Sequence, residues 1–259
     1  MIDSHCHLEQ KDYSKDLDAV IDRCKKAGIK ALVSSCPDPR DFDRALEIAQ
    51  KYKGYVFLAA AIHPEYIKEF SQKDIDEYFE KLRANRNMLV GIGESGLDNF
   101  WTKEPEWREK QKELFIRFIE LSKELKLPLM VHTREAYQDV VNILEQEGAK
   151  KVHLHMWGGR EQIEAINRNG WYISVGPIIA TSKTHKKVVR DIPLERIMLE
   201  TDSPWFGGRT PDGKPIRGEP TNIKIAAEKI AEVKNLRFEE VWKACSDNAT
   251  RFYHLPIQL

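Results

Sequence analysis

A chain of 259 residues with 41% apolar side chains can bury one large core, and barrel folds of about this length commonly form one domain. Its 41 basic and 41 acidic residues cancel, so net charge points to neither nucleic acid nor membrane, and an anionic substrate has to be held by local cations or by metal. The longest aliphatic stretch, residues 56–62, is far short of the ~20 residues of a spanning helix. Met1-Ile2-Asp3-Ser4-His5 lacks the basic-then-apolar pattern of a secretory signal, and Cys6, Cys24, Cys36 and Cys245 form no Cys-x-x-Cys pair. These features predict a cytoplasmic chain in a reducing setting, and no heptad or exposed apolar run argues for an obligate protein partner or a membrane.

Short β-branched or aliphatic runs alternate with longer segments of helical period. The first run, 2–4, precedes a helical segment over 14–27, with apolar Leu17, Val20, Ile21 and Cys24 and a stop near Gly28. Run 31–36 leads to a helix over 40–52, run 55–62 to one over 73–85, and run 88–93 to one over 106–125. Run 129–132 leads to 135–147, which stops at Gly148, and run 152–155 leads to 161–169, which stops at Gly170. Runs 171–175 and 197–201 are the last, and segments 222–233 and 238–247 supply closing helices. The pattern predicts a (β/α)8 TIM barrel as one domain over 1–259, ahead of an open doubly wound sheet. The barrel is favoured because run after run ends in a reactive side chain: His5 and His7, His63, Glu94, His132, His155 and Asp202. In a barrel the C-terminal strand ends converge on one rim, where active sites lie.

His5 and His7 stand two apart, so on a strand both imidazoles point to one side and Cys6 to the other. Glu94 follows the glycine-rich Val90-Gly91-Ile92-Gly93, and a carboxylate at the end of a buried strand is costly unless paired or bound to metal. His153 and His155 share a side by strand period; His155 is favoured as a ligand because it lies nearer the rim, with His153 deeper as a hydrogen-bonded core residue. The same argument favours Asp202 over Glu200. Singly each of these residues has an ordinary packing or salt-bridge explanation. Histidines and carboxylates at successive strand ends are hard to explain by packing.

Several blocks also match a known family in order. They are Asp3-Ser4-His5-Cys6-His7, Ile62-His63-Pro64, Gly91-Ile92-Gly93-Glu94-Ser95-Gly96-Leu97-Asp98, Val131-His132-Thr133-Arg134, His153-Leu154-His155 and Glu200-Thr201-Asp202-Ser203-Pro204, with Asn248-Ala249-Thr250-Arg251-Phe252 near the end. The chain resembles the TatD family of metal-dependent deoxyribonucleases. The resemblance implies two divalent metal sites: His5, His7, Glu94 and Asp202 for one; Glu94, His132 and His155 for the other; Glu94 bridging. It also implies that His63 lines the pocket and contacts substrate. The chain departs from the family at His155-Met156-Trp157-Gly158-Gly159, where the family commonly has His-Cys-Phe, and at Asn99, where an aromatic often stands.

The implied activity is hydrolysis of DNA phosphodiesters by metal-activated water, with Zn, Mn, Mg or Co as candidate ions and Asp202 as both ligand and proton acceptor. Phosphate contacts are expected from Arg134, and further candidates are Lys183, His185, Lys186, Lys187, Arg209, Lys214 and Arg217. Trp101, Trp157, Trp205 and Phe206 follow barrel strands and are candidates to stack a base. Two other readings stand beside the nuclease: a metallo-barrel that cleaves amides, esters or lactones, and a non-catalytic metal-binding protein.

Overall fold

Eight parallel strands stand side by side in chain order: β1 (Ile2–Cys6), β2 (Ala31–Cys36), β3 (Val56–Ala60), β4 (Leu89–Asp98), β5 (Leu129–Arg134), β6 (Val152–Leu154), β7 (Tyr172–Val175) and β8 (Ile197–Leu199). Between them run α1 (Leu17–Lys26), α2 (Phe42–Lys51), α3 (Gln72–Ala84), α4 (Pro105–Leu125), α5 (Tyr137–Gln146), α6 (Ile163–Asn169) and α7 (Lys183–Asp191), and α8 (Ile223–Lys234) and α9 (Phe238–Tyr253) follow the last strand. The computed structural model describes residues 1–210 and 212–257; Pro211, in the proline-rich loop after Asp202, and Gln258 and Leu259, at the end of the expected domain, lie outside the described residues. The ring closes between the end of β1 and the residues just past β8, where the N–H groups of Thr201 and Asp202 donate to His5 O (3.3 and 3.0 Å) and that of His7 to Ser203 O (2.8 Å). Buried Asp3 pins this seam by accepting from Thr201 Oγ1 (2.6 Å) and from the N–H groups of Thr201 and His5. This is the (β/α)8 barrel expected from the alternation of runs.

Strand periodicity divides the apolar residues into two cores. Leu32, Leu58, Leu129, Val131, Leu154, Ile173 and Leu199 pack outward against the helices. Ile2, Ala31, Val33, Ala59, Met130 and Met198 point inward and pack with Ala249, Phe252, Tyr253 and Leu255 from α9 and the segment after it. Helix α9 therefore stops the base of the barrel, and the Tyr253 ring would lie 3.2 Å from a Cβ at Gly91, near the start of β4. The rim at the opposite end stays open. No described helix is long and apolar enough to cross a membrane.

Three departures from the expected elements have local causes. Strand β4 runs on to Asp98 instead of stopping at Gly93, because its register against β5 shifts between Ile92 and Ser95 and then resumes. Such a bulge re-aims a side chain, and here the residue re-aimed is Glu94. Helix α5 starts at Tyr137, two residues late, because Glu135 takes a left-handed backbone (φ +55°). Helix α7 is not among the segments of helical period because it is mostly polar, with only Val188 and Val189 buried. Its register is set by the Ser182 hydroxyl, which caps the His185 N–H.

Glycine is required where β4 turns past β5. Gly96 has φ +151°, and a Cβ there would stand 2.0 Å from His132 O. Gly96→Ala is expected to lower stability by about 3 kcal/mol, read as a lower urea midpoint. An unchanged midpoint would mean that β5 yields to the added methyl and that this approach does not constrain the barrel.

Candidate metal centre

The strand ends bring His7, His63, Glu94, His132, His155 and Asp202 into one cavity of about 620 Å³, with fully buried His5 packed beneath them. Glu94 sits at the middle. Its Oε1 faces His132 Nδ1 (2.8 Å) and His155 Nε2 (2.8 Å), while its Oε2 faces His5 Nε2 (3.4 Å) and His7 Nε2 (3.8 Å). Asp202 Oδ1 completes the second group, 3.3 Å from His5 Nε2 and 3.2 Å from His7 Nε2. Asp202 holds this position from a left-handed backbone (φ +52°), a conformation that costs a non-glycine residue roughly 1–3 kcal/mol.

The outer nitrogen of each imidazole decides what its inner nitrogen can do. His7 Nδ1 lies 3.0 Å from Ser35 O, which can only accept, so Nδ1 carries a proton and Nε2 has a lone pair to give. His132 is turned round: Nε2 donates to Asp98 Oδ2 (3.0 Å), leaving Nδ1 for the centre. His5 Nδ1 rests on Met130 Sδ (2.9 Å), and His155 Nδ1 faces Glu200 Oε2 (3.6 Å), so both present Nε2 inward. His63 is the exception. Its Nδ1 accepts the Glu65 N–H (3.1 Å), so in the neutral ring the proton is on Nε2, aimed at Glu94 Oε1 (3.5 Å). It is placed as a donor and not as a ligand.

These donors fit a metal. Two overlapping groups, His5/His155/Asp202 and His5/His7/Glu94, have ligand atoms within 4.8 Å of one another, and in a third, His63/Glu94/His132, the place of one ligand is taken by the His63 N–H. His5 Nε2 and His7 Nε2 are 2.9 Å apart, and His132 Nδ1 and His155 Nε2 are 3.2 Å apart. Ligand atoms around one tetrahedral zinc-sized ion stand about 3.4 Å apart, close to these spacings. Imidazole nitrogen with carboxylate oxygen is a donor set for zinc, manganese or cobalt more than for magnesium alone.

Electrostatics agree with a cation site. Burial opposes ionisation of Glu94, but His155, His5, His63 and the hydrogen bond with His132 hold its carboxyl well below the usual range. Asp202 is likewise lowered, because bonds with His5 and His7 outweigh its burial. Burial depresses His7, yet its bonds with Asp202 and Glu9 raise it to about 10. Burial takes His63 down to about 3, with His132 adding to the effect, so His63 stays neutral.

A family model, TatD related DNase, matches residues 2–254. The human deoxyribonuclease TATDN3 is 36% identical over 98% of this chain and 94% of its own length. The uncharacterized metal-dependent hydrolase YabD of Bacillus subtilis is 35% identical over 98% of this chain and 99% of its own. The chain belongs to the TatD family. Among solved structures, the TatD homologue YJJV from Escherichia coli K12 superposes with a TM-score of 0.89 at 24% identity, over 99% of this chain and 98% of that one, which supports the same fold. This TatD-family chain is thus a hydrolase whose rim carries groups that fit a divalent metal.

The remaining sequence candidates divide. Arg134 lines the cavity, its guanidinium 3.7 Å over the Phe100 ring. Trp101, Trp205 and Phe206 line it as well and are exposed. Trp157 is not a stacking platform: it is fully buried, and its indole N–H donates to Gly159 O (2.7 Å). Arg217 is held by Asp16 and Glu219, Lys214 pairs with Asp212, Lys186 donates to Ala180 O and His185 bonds Ser182. Among the described residues, Arg134 is the one Lys or Arg that lines the cavity. Asp98, which lines it too, was given no role from sequence. Four residues after Glu94 on β4, it shares Glu94's side of the strand, a signal that was present. Phe100 and Trp101 N–H groups fix its Oδ1 (2.9 and 2.8 Å), so its Oδ2 is aimed at His132.

In metal-free protein His7, His132 and His155 are all raised above the ordinary histidine range, so near neutral pH they hold protons that a metal must displace. His7 is pushed up to about 10, so the stability it adds to metal-free protein is complete below pH 6.5 and is lost as pH rises through about 10; His132 and His155, also raised, act in the same direction. Metal affinity moves the other way and should rise with pH through that window. Adding zinc to chelator-stripped protein in weak buffer near neutral pH should release protons, read with a pH indicator. Zinc uptake without proton release would remove these histidines from the ligand set.

Proposed function

We propose that this chain works as one barrel domain, a deoxyribonuclease that cleaves DNA phosphodiester bonds with two divalent metal ions, in a reducing cytoplasm. The observation that carries the two-ion reading is the division of Glu94: one carboxylate oxygen faces His132 and His155, the other faces His5 and His7. A single carboxylate set between two histidine pairs would help hold an ion on each side. Asp202 completes the His5 and His7 group. DNA enters the proposal through the family and through the deoxyribonuclease TATDN3, a relative at 36% identity.

Divalent ions bound there supply charge to the phosphate and lower the pKa of the attacking water. The chain's own residues do the rest. Asp202, ionised and partly open to the cavity, accepts the proton of that water. His63, neutral with its proton on Nε2, donates a hydrogen bond to a phosphate or leaving oxygen. Arg134 contacts a flanking phosphate, its plane held against Phe100. Trp101 and Trp205 offer exposed rings to bases beside the scissile bond.

Chelator-stripped protein should be given single-stranded, duplex and abasic DNA and titrated with Mg, Mn, Co and Zn. Metal should restore cleavage, and Glu94→Ala should abolish it while weakening binding of both ions. Asp202→Asn should lower kcat by about 100- to 10,000-fold with only a modest loss of stability, the scale of a lost general base. Folded, metal-binding protein that leaves every DNA intact but opens an ester or lactone would overturn the nuclease reading in favour of carbonyl chemistry.

A further inference from the structure

A file of buried polar side chains crosses the barrel interior from base to rim, and the proposed reaction makes no use of it. Tyr253, on α9, lies 2.6 Å from His153 Nδ1, His153 Nε2 lies 2.6 Å from Ser174 Oγ, and Ser174 donates to Glu200 Oε2. With Glu200 as a carboxylate, which only accepts, and His153 neutral, one proton order satisfies the file: Tyr253 O–H to Nδ1, Nε2–H to Ser174, and Ser174 O–H to Glu200. Every donor points toward Glu200. The file ends unfinished. Glu200 Oε1 and His155 Nδ1 are both buried without a hydrogen-bond partner, and His155 Nδ1 stands 3.6 Å from Glu200 Oε2.

We propose that Glu200 is a positioning residue for His155, and that the file from Tyr253 fixes the Glu200 rotamer, so that the α9 stopper at the base and the metal centre at the rim are energetically linked. The proposal rests on the reading that His155 gives Nε2 to a metal. A histidine that does so needs its other N–H held, and Glu200 is the acceptor that His155 Nδ1 faces. A cation on Nε2 also makes Nδ1–H a stronger donor, so the loose 3.6 Å contact tightens when the centre fills. The energy of that tightening then counts toward metal affinity.

The link to α9 follows from the tautomer of His153. Without the Tyr253 hydroxyl, only the Ser174–Glu200 hydrogen bond holds the His153 proton on Nε2. The imidazole can then shift its proton to Nδ1 and accept from Ser174, whose hydroxyl turns away from Glu200. Glu200 loses its fixed donor, and with it the orientation that faces His155. A file that served packing alone would change stability when broken and leave the centre untouched.

The test titrates chelator-stripped full chain with Co²⁺ and follows its visible absorption bands, which report the ligand field. Glu200→Gln should weaken one cobalt equivalent by about 10- to 100-fold and change its bands. Tyr253→Phe should weaken the same equivalent by about 3- to 10-fold, and Ser174→Ala should do likewise if the tyrosine variant does not fold. The double variant Tyr253→Phe/Glu200→Gln should bind within about twofold of Glu200→Gln alone, because the file acts only through Glu200. Cys245→Ala, buried elsewhere on α9, should lower stability and leave cobalt binding unchanged. Wild-type affinity and bands in the Tyr253 or Ser174 variant, additive effects in the double variant, or an equal cobalt loss in Cys245→Ala would each overturn the link. Wild-type protein that takes up no cobalt would instead overturn the assignment of His155 to a metal.

Discussion

The rim is organised by one constraint, the burial of the Glu94 carboxylate. Only 3% of Glu94 is exposed, and a carboxylate in such a place costs several kcal/mol unless positive charge or donors surround it. Imidazoles from β5, from beyond β6 and from around the end of β1 converge on its two oxygens. The convergence requires Glu94 to project toward the axis where β4 passes β5, and the register shift between Ile92 and Ser95 provides that turn. Gly96 provides the close approach that follows it. A barrel without the shift would have the same residues and no centre.

The same residue type serves two chemistries here, and the difference lies in the atom behind each ring. A carbonyl behind His7 and a carboxylate behind His132 fix protons on the outer nitrogens and leave lone pairs inside. A backbone N–H behind His63 does the reverse. His63 stands at a strand end like the others and within reach of Glu94, so position alone does not separate donor from ligand. The partners come from Ser35, Asp98 and Glu65, and of these only Asp98 carries a spacing signal.

This explains what was legible in the sequence. The barrel was readable because eight short β-branched or aliphatic runs alternate with segments of helical period and run after run ends in a reactive side chain. The convergence of His5, His7, Glu94, His132, His155 and Asp202 was readable because barrel topology carries every strand end to one rim. His153 was readable as a core residue by its depth. The extent of β4 was not, since a glycine-rich stretch reads as a stop and a register shift has no sequence signature of its own. The fate of the cations was not readable either. Arg217 and Lys214 look available in a loop, but Asp16, Glu219 and Asp212 come to them in the fold. Trp157 follows a strand as Trp205 follows another, yet one is wholly buried with its indole N–H bonded to Gly159 O and the other is exposed.

The removal of those cations bears on how the proposed nuclease would hold its substrate. A chain with equal acids and bases exerts little long-range attraction on a polyanion, and Arg134 is a single cationic contact in the cavity. Most of the positive charge that a phosphate meets must then belong to the metal centre itself. Binding and chemistry are not separable under that condition, since the groups that retain the phosphate are the groups that activate it. The exposed rings of Trp101 and Trp205 add contact that is indifferent to charge and tolerant of sequence. Affinity built in this way favours the bond lying at the centre over the phosphates that flank it, which is the discrimination a hydrolase needs from a repeating substrate.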